Sequence, residues 1–240
     1  MTTTAAVEPA HLEAWRPRQD VATAWRPGRA PMVVVVPHPD DETLGVGGLI
    51  RQQCAMGVEV TVVAVTDGDA AYDPSGDAEL AVRRAAEQNA ALDRLGIAPR
   101  RRHRLHLPDS RVDRFEAEVA DALCDAVGAA GPGAVLVAPG ELDVHPDHEA
   151  VGRAAVRAAD RLHCVLISYY FWMWHLRAPD EVAAQLVSYR LSPETIVHKA
   201  AALAEHRSQI DPWEGNAAVL APATLEPATW PCEYFVVRTP

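Results

Sequence analysis

Lysine is nearly missing from this chain. Lys+Arg 22 includes a single lysine, Lys199, and stands against Asp+Glu 33, leaving a formal net charge of −11. A surface of that sign repels phosphate backbones and anionic lipid headgroups, so nucleic acid and membrane surfaces are poor partners. The four cysteines, Cys54, Cys124, Cys164 and Cys232, lie far apart and form no CxxC pair, which removes a dense disulfide framework and predicts reduced, mostly buried thiols. No apolar run approaches the roughly 20 residues that span a bilayer. Residues 1–10 lack the positive region, apolar core and cleavage site of a signal peptide. The expectation is a cytoplasmic protein with no membrane insertion, and a homo-oligomer stays open.

What is present, 240 residues at 49% hydrophobic and 23% charged, is an ordinary globular composition with enough apolar mass for one sizeable core. Residues 1–31 carry two copies of Ala-Trp-Arg-Pro, at 14–17 and 24–27, without a sustained period. They read as an N-terminal extension or packed arm, with residues 32–240 as a single domain. From Met32 the pattern alternates: strand 33–36, helix 43–56, strand 58–65, helix 78–95, strand 102–107, helix 113–129, strand 134–138, helix 147–162, strand 164–169. Short β-rich runs between helices of this length predict an α/β fold, a Rossmann-like three-layer α/β/α sandwich on a mostly parallel sheet. Beyond residue 170 the rhythm loosens. Residues 186–191 and 194–198, joined at Ser192-Pro193, predict a small C-terminal β-hairpin region, followed by a helix over 199–208 and a last strand over 234–237.

The four valines run into Pro37-His38-Pro39-Asp40-Asp41-Glu42, which places a histidine and carboxylates at the carboxyl end of a predicted strand, the rim where open α/β sheets bind ligands. Strand 134–138 ends in a second such loop, Glu141-Leu142-Asp143-Val144-His145-Pro146-Asp147-His148-Glu149. If the two strands are near neighbours, His38, Asp41 and His148 converge. Two histidines and a carboxylate, with a fourth position left to water, is the arrangement of a catalytic zinc site.

These two loops, with Gly45-Val46-Gly47-Gly48, Arg84-Ala85-Ala86-Glu87, Leu107-Pro108-Asp109-Ser110 and Lys199 through Glu205-His206-Arg207-Ser208-Gln209, make the chain resemble the LmbE-like or PIG-L superfamily of zinc-dependent N-deacetylases over about residues 33–209. That superfamily includes N-acetylglucosaminyl-phosphatidylinositol deacetylases, mycothiol deacetylases and amidases, and enzymes that tailor antibiotic sugars. The resemblance implies one Zn2+ per chain held by His38, Asp41 and His148, with Asp40 as general base. It implies His145 as oxyanion donor, its tautomer fixed by Asp147 or Asp143, and Arg84 and Asp109 as substrate-binding residues. The substrate implied is a small-molecule amino sugar or its conjugate, losing an N-acyl group, with acetyl as the expected one. Cleavage of a larger amide of a glucosamine conjugate is the alternative, and a non-catalytic binding module a third. The chain departs from some mycothiol-related members at Asp143, where they carry tyrosine, so the zinc ion and His145 would share the oxyanion.

Other signals have plainer readings. Gly45, Gly47 and Gly48 miss the dinucleotide fingerprint because Ile50 stands where its third glycine belongs, and close helix-to-sheet packing accounts for them. The arginines at 100, 101, 102, 104, 111 and 114 read as a solvated strand edge. Tyr169-Tyr170-Phe171-Trp172-Met173-Trp174 reads as core or subunit contact, with a wall for a sugar ring or lipophilic tail as the alternative. Lys199, His206, Ser208 and Gln209 are read as structural.

Overall fold

The computed structural model describes residues 9–240, so most of the stretch read for a signal peptide lies outside the described residues. Five strands form the parallel centre of one sheet: β2 (Met32–Val36), β3 (Val60–Thr66), β4 (Arg102–Leu107), β5 (Val135–Pro139) and β6 (Leu166–Tyr169), preceded in the chain by the short β1 (Thr23–Ala24). β2 lies between β3 and β5 and is buried along its whole length. Its β-branched residues alternate between two cores. Val34 and Val36 pack with Leu49, Leu92 and Leu95 on one face, and Val33 and Val35 with Leu123, Val151 and Ala155 on the other. An uninterrupted run of valines is thus the signature of a strand covered on both sides.

The covering helices are α2 (Asp41–Leu44), α3 (Gly47–Ala55), α4 (Ala78–Leu95), α5 (Glu116–Ala130) and α6 (Pro146–Leu162). Local chemistry sets their ends. The Asp77 carboxylate accepts from the N–H groups of Glu79 and Leu80 at the start of α4, and Gly96 closes it at φ 93°. The helix expected over 43–56 breaks in two at Gly45 and Val46. A Cβ at Gly45 would lie 2.3 Å from the Tyr169 ring, and one at Gly48 would lie 2.4 Å from Leu191, so these glycines serve close packing against the sheet.

The C-terminal part extends the same sheet through β7 (Val187–Arg190) and β8 (Cys232–Arg238), giving the order β1-β7-β8-β6-β5-β2-β3-β4. The antiparallel C-terminal pair exists, but its composition differs from the expectation. β7 pairs with β8, while residues 194–198 belong to helix α8 (Pro193–Leu203). Ser192 caps that helix through the Thr195 N–H with Pro193 in its first turn, a helix start that the sequence reading took for a hairpin turn. The helix expected over 199–208 is likewise divided between α8 and α9 (Arg207–Ile210).

The N-terminal segment is a packed arm. In α1 (Pro9–Asp20) Trp15 is fully buried and meets Trp174, which precedes the end of α7 (Met173–Leu176), at 5.0 Å edge to face. β1 pairs with β7, and Trp25 packs on Tyr189 and Phe235. The two Ala-Trp-Arg-Pro copies therefore adopt different structures. All four cysteines are free but only partly buried, less so than expected. The arginine-rich strand β4 is the sheet edge, where Arg104 pairs with Asp67 at 2.9 Å. Among the described residues no helix is long and apolar enough to cross a membrane.

Candidate metal and active site

The chain leaves β2 toward β3 and β4, then returns to place β5 on the other side of β2. The carboxyl ends of β2 and β5 thus flank the topological switch point of the sheet, where loops diverge and leave a crevice. The two histidine loops emerge there, and a cavity of about 390 Å3 opens above them, lined among others by His38, Asp40, Asp41, Arg84, His145 and His148.

Three atoms converge at its floor. Asp41 Oδ2 lies 3.4 Å from His38 Nδ1 and 3.3 Å from His148 Nε2. Donors held at about 2.0–2.1 Å in a tetrahedral shell stand about 3.3–3.4 Å apart, so the spacing suits a zinc-sized ion. His148 Nε2 is buried without a hydrogen-bond partner, as a ligating nitrogen awaiting a metal is. The far sides of both rings are occupied. His148 Nδ1 donates to Asp143 at 2.6 Å, and His38 Nε2 donates to Asp147 at 3.1 Å with Asp109 3.2 Å away. Carboxylates behind ligating imidazoles fix the tautomer and raise the basicity of the free nitrogen. Two other groupings bring candidate ligand atoms within 4.8 Å of one another, His38 with His145 and His148, and His38 with Asp109 and Asp147. In the latter, Asp109 accepts from the Ala70 N–H and Asp147 from those of Ser110 and Val112, while Asp41 Oδ2 accepts from the His38 N–H at 2.9 Å.

Asp40 stands beside this cluster at φ 141°, a backbone conformation that carries strain. Its N–H points to Glu42 Oε2 at 3.3 Å, and its Oδ2 accepts from Arg84 at 3.2 Å. Burial pushes the Asp40 carboxyl up to about 7 against the opposing pull of Arg84. His145 goes the other way: burial, with His38 and His148 nearby, pushes its imidazole down to about 3. Its Nδ1 accepts the Asp147 backbone N–H at 3.2 Å. The proton of the neutral ring is thereby left on Nε2. Asp147, one of the two residues expected to set the His145 tautomer, meets the ring through its backbone N–H. The carboxylates of Asp147 and Asp143 instead orient His38 and His148. His145 thus caps α6 and also lines the cavity.

Arg84 and Asp109 line the cavity, but their polar atoms face inward. Arg84 donates to the Gly68 and Pro39 carbonyls as well as to Asp40, and Glu87 pairs with Arg83 instead. Several buried contributors were invisible as such in the sequence. Glu42 accepts from Gln88 at 2.8 Å and faces His206 at 3.1 Å, an arrangement that holds the loop carrying Asp40 from behind. Lys199 pairs with Glu233 at 2.7 Å, and Ser208 donates to Glu87 at 2.6 Å. The late matches at Lys199, His206 and Ser208 were the only signal of these contacts. The segment 216–220 lines the cavity and carried no signal.

An open, mostly parallel sheet with a buried His/Asp cluster facing a cavity at its switch point is the arrangement in which α/β enzymes hold their ligands. The chain belongs to the GlcNAc-PI de-N-acetylase (PIG-L) family, whose model matches residues 33–159. It is 31% identical over 195 residues to a probable N-acetyl-alpha-D-glucosaminyl L-malate deacetylase 2 of Bacillus cereus, covering 75% of this chain and 84% of that one. It is 30% identical over 132 residues to the diacetylchitobiose deacetylase of Thermococcus kodakarensis, covering 53% of this chain and 48% of the relative. The solved structure of the zinc-inhibited form of teicoplanin deacetylase superposes with a TM-score of 0.67 at 19% identity, over 88% of this chain and 99% of that one, a likeness of fold.

Proposed function

We propose that this protein hydrolyses the N-acyl amide of an amino sugar or amino-sugar conjugate, with one Zn2+ per chain held by His38, Asp41 and His148. The observation that carries the reading is the convergence of His38 Nδ1 and the unpartnered His148 Nε2 on Asp41 Oδ2 at metal-ligand spacing. The names of the sequence relatives support the substrate class. Residues 32–240 are the catalytic unit in this reading, with residues 1–31 as its extension.

When bound, zinc supplies Lewis-acid chemistry, polarising the acyl carbonyl and bringing the pKa of water to about 7. Asp40 takes the proton of the attacking water on a carboxylate oxygen and delivers it to the amine nitrogen as the C–N bond breaks. A carboxyl poised near 7 is suited to both transfers. Arg84 positions Asp40 through the 3.2 Å contact. His145 is neutral and donates from Nε2 to the oxygen that gains charge. Asp147 and Asp109 steer His38 from its far side. Arg84 and Asp109, whose polar atoms are engaged with the Asp40 loop, Ala70 and His38, shape the side of the cavity beside which the sugar is held.

Asp40→Asn tests the assignment. The amide keeps the shape and leaves the three ligands in place, but cannot accept a proton. Zinc content measured by mass spectrometry should stay near one per chain while kcat on N-acetylglucosamine-type amides falls by about a hundredfold or more. Loss of zinc with Asp40→Asn, or unchanged turnover, would contradict the roles given to Asp40 and Asp41.

A further inference from the structure

Asp40 holds a backbone conformation that L residues rarely adopt, φ 141°, and such a residue persists only where its surroundings over-determine it. Arg84 holds its side chain at 3.2 Å, and Glu42 Oε2 holds its N–H at 3.3 Å. Glu42 is itself fully buried, with four donors around its carboxylate. Oε2 takes the Asp40 N–H and Gln88 Nε2 at 2.8 Å. Oε1 accepts from Thr43 Oγ1 at 3.2 Å and faces His206 Nε2 at 3.1 Å. A carboxylate offers about four acceptor sites, so each is occupied. Thr43 belongs to α2, the same short helix as Glu42, and gives no outside support. Gln88 comes from α4, where Arg104 donates to its Oε1, and His206 from the junction of α8 and α9. These two anchor the Asp40 loop to the rest of the fold.

His206 is 1% exposed and lies outside the cavity lining, so it meets no substrate. Its reach to the reacting centre runs through one carboxylate. Without the ring nitrogen, Glu42 Oε1 keeps only the Thr43 hydroxyl, a donor that moves with it. The carboxylate then swings, Oε2 leaves the Asp40 N–H, and the strained backbone relaxes with its side chain. We propose that His206 is a positioning residue for the general base, acting through Glu42 on the Asp40 backbone. The segment after α8, which the sequence reading took as structural, thereby serves the reaction from beyond the matched residues 33–159. This deepens and rests on the role of Asp40 in the N-deacylase reading.

The experiment compares His206→Phe, which keeps a buried ring but no donor, with His206→Gln, whose amide nitrogen lies as many bonds from the backbone as Nε2. Both are made in the zinc-loaded wild type and in Asp40→Asn. On N-acetylglucosamine-type amides His206→Phe should lower kcat by about ten- to a hundredfold, the cost of moving a reacting group by about 1 Å. KM and zinc content should stay near the wild-type values, and His206→Gln should regain most of the loss. In Asp40→Asn no base is left to position, so His206→Phe should lower the residual kcat no further. A purely structural role would lower both backgrounds alike. That result, an unchanged kcat, or loss of zinc overturns the proposal. The second readout requires no turnover: a crystal structure of His206→Phe should show the Asp40 N–H parted from Glu42 and φ shifted away from 141°. Unaltered Asp40 geometry overturns the proposal. Gln88→Leu, which removes the other anchor of the same carboxylate, is read the same way if His206→Phe fails to fold. If the wild type cleaves no amide, the hydrolytic reading fails, and the crystallographic readout alone decides whether His206 positions Asp40.

Discussion

Asp143 ties His148 to the segment after β6 without lining the cavity. Its Oδ2 accepts from His148 Nδ1 at 2.6 Å, and its Oδ1 accepts from the Phe171 and Met173 N–H groups at 2.8 and 2.9 Å. The carboxylate is therefore held between the turn from β6 into α7 and the His148 ring. Asp143→Ala should leave the protein folded, weaken zinc by about 10- to 100-fold in a chelator competition, and lower activity only as occupancy falls. Undiminished zinc affinity would show that His148 is oriented by other contacts. The sequence reading placed Asp143 in the right loop but attached it to His145, because spacing along the chain does not say which ring a carboxylate meets five residues on.

His175 offers a second residue-level test, away from the metal ligands. It is buried beside Phe171 and Trp172, neither ring nitrogen has a hydrogen-bond partner, and burial pushes its imidazole down to about 4. The unfolded chain keeps a histidine near its ordinary 6.5, so between about 6.5 and 4 the unfolded state binds the extra proton. The stability gained from a neutral His175 is complete above about 6.5 and is lost as pH falls toward 4, by up to about 3 kcal/mol. Urea midpoints at pH 7 and pH 5 should differ less in His175→Phe than in the wild type. An unchanged difference would remove His175 as the source.

Among the elements, a buried ion pair joins α8 to β8, and its carboxylate also ties in the start of α3. Glu233 on β8 accepts from the Gly48 and Leu49 N–H groups at the start of α3, at 2.7 and 2.8 Å, and from Lys199 on α8 at 2.7 Å. The carboxylate satisfies orphan donors of the helix start and neutralises the chain's only lysine in one contact. Glu233→Ala should cost about 3–5 kcal/mol in chemical unfolding, since it leaves a buried ammonium unpaired. Lys199→Met combined with Glu233→Gln should recover much of that loss. Equal losses in both would attribute the effect to packing. Elements of this kind were hard to read because their partners lie far apart in sequence. The Ser192-Pro193 turn signal was real, but it starts a helix, and a residue run such as 194–198 carries no mark of which neighbour it meets.

At the scale of the molecule, the parallel half was legible and the rest was not. Residues 32–169 carry strong local signals: β-branched runs, caps such as Asp77, the terminating Gly96 and the two histidine loops. Each of these depends on near neighbours, and sheet order follows from short right-handed crossovers. The antiparallel extension β1-β7-β8 is assembled from both ends of the chain, and Trp15 finds Trp174 across a long separation, so no periodicity announces either. The clustering of His38, Asp41 and His148 was legible for the same reason as the parallel half, because their loops leave the ends of two such strands. The part of the cavity lined by Phe171, Trp172, Leu176 and residues 216–220 lies outside that region.

The central claim, a zinc ion held by His38, Asp41 and His148 at the head of this cavity, is tested most directly by an anomalous-difference map at the zinc edge from crystals of the metal-loaded protein. It should show one strong peak per chain at about 2.0–2.2 Å from His38 Nδ1, Asp41 Oδ2 and His148 Nε2. A peak among His38, Asp109 and Asp147, or one ligated by His145 in place of Asp41, would contradict it.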